Sequence, residues 1–227
     1  MRTHKYLGYE LAIFDNDALC NEFIRRNEYE NHLTEVLRKV VEPSFTVLDG
    51  GCHLGFHTIL FAQLAKDGVV HAFDINEEAL TLLKYTITQN NLTNIKVHNA
   101  GLSETSKTVT YSKNIHPDQN SLYESYSKVF VGEAQARLVT LDSLNLNSLD
   151  FLKLDIEGSE LDALKGGLNT LQKHKPVIIY EHLKHNEDPS ILLNELGYEL
   201  YQIEQSRDFI AIPLEGRQGT REKLLTY

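Results

Sequence analysis

At 227 residues, with 41% hydrophobic and 24% charged side chains, the chain has the size and composition of one well-cored globular domain. Its formal net charge of −10 argues against a surface that tracks nucleic-acid phosphates. Cys20 and Cys52 make neither a disulfide framework nor a metal-ligand spacing, and no apolar run reaches membrane-spanning length, so the expectation is a cytoplasmic protein without membrane insertion.

Residues 1–43 read as a short extended piece and then a helix, with Leu33, Val36, Leu37, Val40 and Val41 at helical spacing and Pro43 as its stop. This segment is expected to cover the ligand side of a main domain formed by residues 44–227. From Phe45 onward strands and helices alternate. Strand signals fall at 45–48, 69–73, 95–97, 151–154 and 177–180, with helical patterns at 58–65, 77–90, 161–171 and 190–196. Such alternation predicts a parallel sheet covered on both faces, with ligands at the carboxyl ends of the strands. Strand signals at 199–203 and 209–212 are too close for a crossover connection and should pair as an antiparallel hairpin. The fold class expected is therefore α/β: a doubly wound, Rossmann-like sheet of seven strands, mostly parallel, with a terminal antiparallel hairpin strand. Residues 105–136 are polar and weakly patterned, which suits a hairpin plus an irregular insert, a place for a lid or a substrate loop.

The first strand runs into Asp49-Gly50-Gly51-Cys52-His53-Leu54-Gly55 and then a helix. A strand that turns into a helix through glycines brings bare backbone N–H groups up to a ligand. The spacing Asp-x-Gly-x-His-x-Gly departs from the dinucleotide fingerprint Gly-x-Gly-x-x-Gly. An acid there would repel a pyrophosphate but accept from an ammonium group, which suits S-adenosylmethionine. Asp49, Gly51, His53 and Gly55 are thus cofactor candidates, and Cys52 is a small filler. Asp74 ends the second strand 19 residues past Gly55, the usual distance of an acid that accepts ribose hydroxyls. The other reading makes it the cap of the next helix, with Glu77 and Glu78 in the first turn. The third strand ends at Asn99-Ala100, where a small residue lets an adenine ring lie against backbone and Asn99 or Ser103 bonds its edge.

Along 151–157 the strand pleat puts Lys153, Asp155 and Glu157 on one face. A buried parallel strand tolerates charge only at its carboxyl end or when paired, so these residues mark either an active-site mouth or a Lys153–Asp155 ion pair with Glu157 capping the following helix. The neighbouring strand ends in Glu181-His182. Asp155, Glu181 and His182 are expected to meet, as a proton acceptor or as ligands of a divalent cation such as Mg2+ or Mn2+. With Lys153 they complete the catalytic candidates.

The stretch Leu152-Lys153-Leu154-Asp155-Ile156-Glu157-Gly158-Ser159-Glu160-Leu161-Asp162-Ala163-Leu164-Lys165-Gly166, preceded by Val139-Thr140-Leu141-Asp142-Ser143-Leu144, closely resembles the FkbM family of S-adenosylmethionine-dependent methyltransferases. The resemblance runs from Tyr29-Glu30 to Glu181-His182. Cys52 and His53 stand where the family usually carries Ala and Asn, and Asp74 stands where many members carry Glu. It implies the methyltransferase variant of the doubly wound fold, S-adenosylmethionine as cofactor, and O-methylation, often of sugar hydroxyls in glycans or natural products. The implied partner is a small-molecule or glycan acceptor, not nucleic acid. Metal-dependent O-methyltransferases resemble this chain in placing acids at the same two strand ends. Two alternatives stand beside this reading. The missing glycine fingerprint counts against an NAD(P)-binding oxidoreductase, and the charged cluster counts against a non-catalytic S-adenosylmethionine-binding module.

Overall fold

Apolar residues at adjacent strand positions feed two cores, one on each face of the sheet. Val47, Phe151, Ile179 and Ile212 enter one core, while their neighbours Leu48, Leu152, Ile178 and Ala211 enter the other. The computed structural model describes residues 1–15, 18–114, 130–183, 187–216 and 218–225. The sheet is built from β3 (Thr46–Gly50), β4 (Val69–Asp74), β5 (Ile95–Asn99), β9 (Phe151–Leu154), β10 (Val177–Glu181), β11 (Tyr198–Gln202) and β12 (Asp208–Pro213). Its strand order is β11-β12-β10-β9-β3-β4-β5. Pairings from β10 to β5 are parallel, and β12 runs antiparallel to both neighbours, as the short connection before it requires. The chain leaves β3 toward β4 and β5 and later returns to β9 on the other side. That reversal opens a crevice at the carboxyl ends of β3 and β9.

Helices α2 (Asn31–Val40) and α3 (Phe56–Leu64) cover the first face, where Leu33, Leu37, Leu60 and Phe61 are buried. Helices α5 (Glu160–Lys165), α6 (Leu168–His174) and α7 (Ser190–Glu195) cover the second through Ala163, Leu164, Leu171 and Leu193. The helical pattern at 161–171 is divided into α5 and α6 at Gly166-Gly167, where the chain runs against the backbone of Ser103 and Glu104. A Cβ on Gly166 would lie 2.1 Å from the Ser103 carbonyl oxygen, so no side chain fits. A further helix, α8 (Gln218–Leu225), lies against α2.

The N-terminal segment holds more structure than its sequence pattern shows. Strands β1 (Arg2–Tyr6) and β2 (Tyr9–Ile13) form a hairpin, followed by helix α1 (Ala18–Arg26). The hairpin docks on α4 (Glu77–Gln89) through backbone groups. Ala12 N–H donates to Thr86 Oγ1 at 2.9 Å, and the Asn90 amide both donates to Glu10 O and accepts from Glu10 N–H. In the 105–136 region, β7 (Lys107–Asn114) and β8 (Phe130–Val139) form an antiparallel hairpin, with β6 (Gly101–Leu102) pairing parallel to β8 in a separate three-stranded sheet. Residues 115–129, the centre of the expected lid, lie outside the described residues. Among the described residues, no helix is long and apolar enough to cross a membrane.

Candidate active site

A cavity of about 310 Å3 opens at the carboxyl ends of β3, β4, β9 and β10. Gly51, His53, Asp74 and Ala100 line it together with Asp155, Glu157, Ser159 and Glu181, and Tyr29 and Glu30 reach it from the N-terminal segment. Gly51 has φ +81°, and a Cβ there would sit 1.7 Å from the Asp155 carbonyl oxygen. The loop after β3 therefore lies directly on the loop after β9, and only glycine permits that approach.

Asp74 ties this loop to the second strand. Its Oδ2 accepts from His53 N–H at 2.7 Å and its Oδ1 accepts from Asn76 N–H at 2.7 Å. Capping of α4 falls instead to Asn76, whose Oδ1 accepts from Glu78 and Ala79 N–H. That leaves Asp74 as a half-buried acid on the cavity lining, and burial raises its carboxyl above the usual range. We expect Asp74→Ala to weaken S-adenosylhomocysteine binding by on the order of 2–4 kcal/mol, the scale of two charge-assisted hydrogen bonds. Calorimetry on variant protein shown to be folded checks this, and unchanged affinity would refute a ribose-binding role.

The structure separates the other sequence candidates. Asp49 is fully buried with Oδ2 accepting from Thr58 Oγ1 at 2.6 Å, and it pairs in register with Lys153. It lies beneath the cavity in a small void shared with His57 and Lys153, so it does not meet a ligand in the main cavity. Gly55 is also outside the lining. It packs against α4, where a Cβ would lie 2.4 Å from Leu83 Cδ1. Asn99 is exposed and off the lining, whereas the next residue, Ala100, is on it.

Lys153 is 2% exposed and donates to Asp155 Oδ2 at 2.9 Å, so this ion pair and a cavity-facing Asp155 coexist. Burial alone would lower the Lys153 ammonium, but the carboxylates of Asp155, Asp49 and Glu30 outweigh it and hold Lys153 above its ordinary range. Glu181 sits directly beyond the Tyr180–Leu154 register pair, next to Asp155, and bonds Arg207 Nη2 at 2.8 Å. Burial and the Asp155 carboxylate push Glu181 up to about 7 against the lowering by Arg207.

His182 does not join this cluster. Consecutive residues of a strand point to opposite sides, and His182 packs edge-on against Phe209 while its N–H donates to Arg207 O. Glu157 takes its place. Asp155, Glu157 and Glu181 each offer a carboxylate oxygen, and these atoms lie within 4.8 Å of one another. Glu157 reaches this position through a left-handed backbone, φ 52°. His53 (φ 47°) and Glu30 (φ 40°) also line the cavity in that sparsely populated conformation, the kind of strain that gathers at functional sites.

Arg207 and Asp208 complete the rim. Because β12 is antiparallel, its first residues meet the carboxyl end of β10, with Asp208 opposite Glu181. Glu30 is pushed up to about 7 by burial and by the carboxylates of Asp155, Asp208 and Glu181, against lowering by Lys153. Its Oε2 lies 3.6 Å from Nε2 of His57, a wholly buried imidazole whose proton affinity burial lowers far below the ordinary range. Sequence reasoning missed Glu30, Arg207, Asp208 and Ser159. For Asp208 and Arg207 the antiparallel last strand is a usable signal, since it directs its start to the site.

Glu160, just after Ser159, shapes the loop after β9. Its Oε1 accepts from Ile156 N–H at 2.9 Å and Gly158 N–H at 3.3 Å, and burial raises its carboxyl to about 7. An acid raised in the folded state gives most stability below its unfolded value of 4.5, and that contribution is lost as pH rises toward 7. Glu160→Gln keeps the acceptor oxygen and loses the titration. We expect its stability relative to the parent to rise between about pH 5 and pH 8 in paired denaturant melts. A constant difference would show that Glu160 does not titrate in this window.

The sheet order and the cavity at its switch point define an α/β methyltransferase architecture. The family model described as the Methyltransferase FkbM domain matches residues 49–210, and the chain belongs to that family. The methyltransferase FkbM from Methylobacillus flagellatus KT is 21% identical, with 75% of this chain aligned to 44% of that one at a TM-score of 0.55. This chain thus spans less than half the length of that protein. The precorrin-6y C5,15-methyltransferase from Geobacter metallireducens GS-15 is 12% identical over 80% of this chain and 86% of that one, at a TM-score of 0.50. No curated protein sequence matches the chain significantly. The family assignment sets aside the NAD(P)-dependent oxidoreductase reading.

Proposed function

We propose that the chain transfers a methyl group from S-adenosylmethionine to a hydroxyl of a sugar, glycan or glycosylated natural product. The observation that carries this reading is one cavity lined by two sets of residues: Asp74 and Ala100 from the ends of β4 and β5, and Asp155 and Glu181 from the ends of β9 and β10. The first set fits the donor. Asp74 offers an acid and Ala100 a small residue on the same lining, suited to a ribose and a flat base, and Gly51 lets the loop after β3 lie on the loop after β9 that completes the cavity. When bound, S-adenosylmethionine supplies an electrophilic methyl group on a sulfonium.

The chain's own residues then position the acceptor and take its proton. Glu30, Asp155, Glu157, Glu181 and Asp208 line the same cavity, and carboxylates are the natural partners of hydroxyl donors. Glu181, held near neutrality, is matched to accept a hydroxyl proton at physiological pH. Lys153 fixes the Asp155 carboxylate beside it. Glu181→Gln should lower turnover by roughly 10²-fold while leaving S-adenosylhomocysteine affinity within a few-fold. Labelled S-adenosylmethionine with a panel of methyl glycosides and nucleotide sugars provides the assay. Full activity in this variant would remove Glu181 as the base, and transfer to none of the panel would argue against a sugar acceptor.

The convergence of Asp155, Glu157 and Glu181 favours a second version in which a divalent cation, Mg2+ or Mn2+, shares the site. It would orient a diol and lower the proton affinity of one hydroxyl. Chelator should then abolish transfer and Mg2+ or Mn2+ restore it. Transfer untouched by chelator leaves the metal-free version.

A further inference from the structure

The turn between α1 and α2 sends two consecutive residues, Tyr29 and Glu30, to the cavity lining. The Tyr29 ring is stacked on Phe56 with centroids 4.2 Å apart and planes 11° apart, and it meets the His57 imidazole edge-on at 5.2 Å. Phe56 packs in turn edge-on against Tyr6 and Phe23, so an aromatic cluster fixes the plane of Tyr29. Glu30 stands at the cap position of α2 yet makes no side-chain bond to the first helical turn. Its Oε2 lies 3.6 Å from Nε2 of His57, which is 4% exposed. One buried imidazole thus supports an aromatic ring and a carboxylate side by side.

The charges that act on Glu30 are those of Lys153, Asp155, Asp208 and Glu181, from the β9, β10 and β12 side of the cavity. That groups Glu30 with the carboxylates assigned to the acceptor. A pyranoside is an amphipathic disc, with an apolar C–H face and a rim of hydroxyls. An aromatic ring meets the face and a carboxylate meets the rim, and two adjacent residues of one turn present both at a fixed spacing. An open-chain polyol offers the hydroxyls without a preformed face, and it loses more conformational entropy on binding.

We propose that Tyr29 and Glu30 form the acceptor-binding edge of the cavity, with the Tyr29 ring against the C–H face of a pyranoside and the Glu30 carboxylate accepting from its rim hydroxyls. This assignment rests on the methyl-transfer reading above and narrows its acceptor to a cyclic glycoside. Glu181 keeps the reacting proton. The pair therefore acts on acceptor affinity and not on the chemical step, and the two separate as KM and kcat.

The test uses the full chain, labelled S-adenosylmethionine, methyl glycosides and the open-chain alditols of matching configuration, with S-adenosylhomocysteine calorimetry beside it. For the best glycoside the parent should show a kcat/KM about tenfold or more above that for the matching alditol. Tyr29→Leu should raise the KM for the glycoside about tenfold and erase that preference, with kcat and S-adenosylhomocysteine affinity within a few-fold of the parent. Tyr29→Phe, which keeps the ring, should recover most of the loss. Glu30→Gln should raise the KM for glycoside and alditol alike by about fivefold. The assignment is overturned by no preference in the parent, by a preference kept in Tyr29→Leu, or by Tyr29→Phe behaving as Tyr29→Leu does. It is overturned equally if Tyr29→Leu loses S-adenosylhomocysteine affinity as strongly as acceptor affinity, or if Glu30→Gln lowers kcat with KM unchanged. If Tyr29→Leu does not fold, the parent's preference and the Glu30→Gln kinetics decide. A parent that methylates both classes alike leaves the hydroxyl-transfer reading standing without this edge. Transfer to neither class removes the sugar reading itself, and the edge falls with it.

Discussion

Lys153→Met should destabilise the chain by about 3–5 kcal/mol, the scale of breaking a buried ion pair by removing one partner. Lys153 is the buried cation beside the Asp49 and Asp155 carboxylates, and it is 2% exposed. Methionine fills similar space but strands the charge of Asp49, whose carboxyl burial already raises and Lys153 helps to lower. Asp49→Asn in the same background should recover part of the loss, because the surviving polar group is then neutral. Denaturant melts of the parent and these variants measure both numbers. A loss below 1 kcal/mol in Lys153→Met would show that the lysine is not compensating buried charge.

The second large effect is expected at Gly51. Blocking close approach of a ligand is the effect its motif suggests for Gly51→Val, but the structure puts the loop itself in the way. A Cβ would meet the Asp155 carbonyl oxygen at 1.7 Å, a backbone atom that cannot swing aside, and φ +81° is strained for any branched residue. Gly51→Val should therefore lose S-adenosylhomocysteine binding by 100-fold or more and melt at a clearly lower temperature. Gly8, also at positive φ but with nothing within 4 Å of its Cβ, is the control and should tolerate alanine with only the backbone cost. Parent-like binding and stability in Gly51→Val would contradict the loop contact.

Those two residues mark what sequence does and does not convey. Buried parallel strands were legible because they read as short apolar runs, and 151–154 coincides with β9. The charge after that run was also legible, because a buried strand tolerates ions only at its end. Hidden from the sequence was which way each charged group turns. Asp49 and Asp155 both follow strand logic, yet one points under the sheet edge to Thr58 and the other into the cavity. Applying the pleat to Glu181-His182 separates them, whereas the left-handed turn that swings Glu157 inward has no sequence marker. The N-terminal hairpin has no clear sequence pattern because β1 alternates exposed and half-buried residues and pairs only with β2, which in turn docks on α4. Glu30 escaped for the same reason, since it enters the site only once α2 has packed against α3.

A crystal structure of the chain with S-adenosylhomocysteine tests the central claim most directly. The account predicts the ribose hydroxyls on Asp74, the purine against Ala100, and the sulfur facing Asp155 and Glu181 across the same cavity. A ligand bound elsewhere, or one whose sulfur lies away from those two carboxylates, would contradict it.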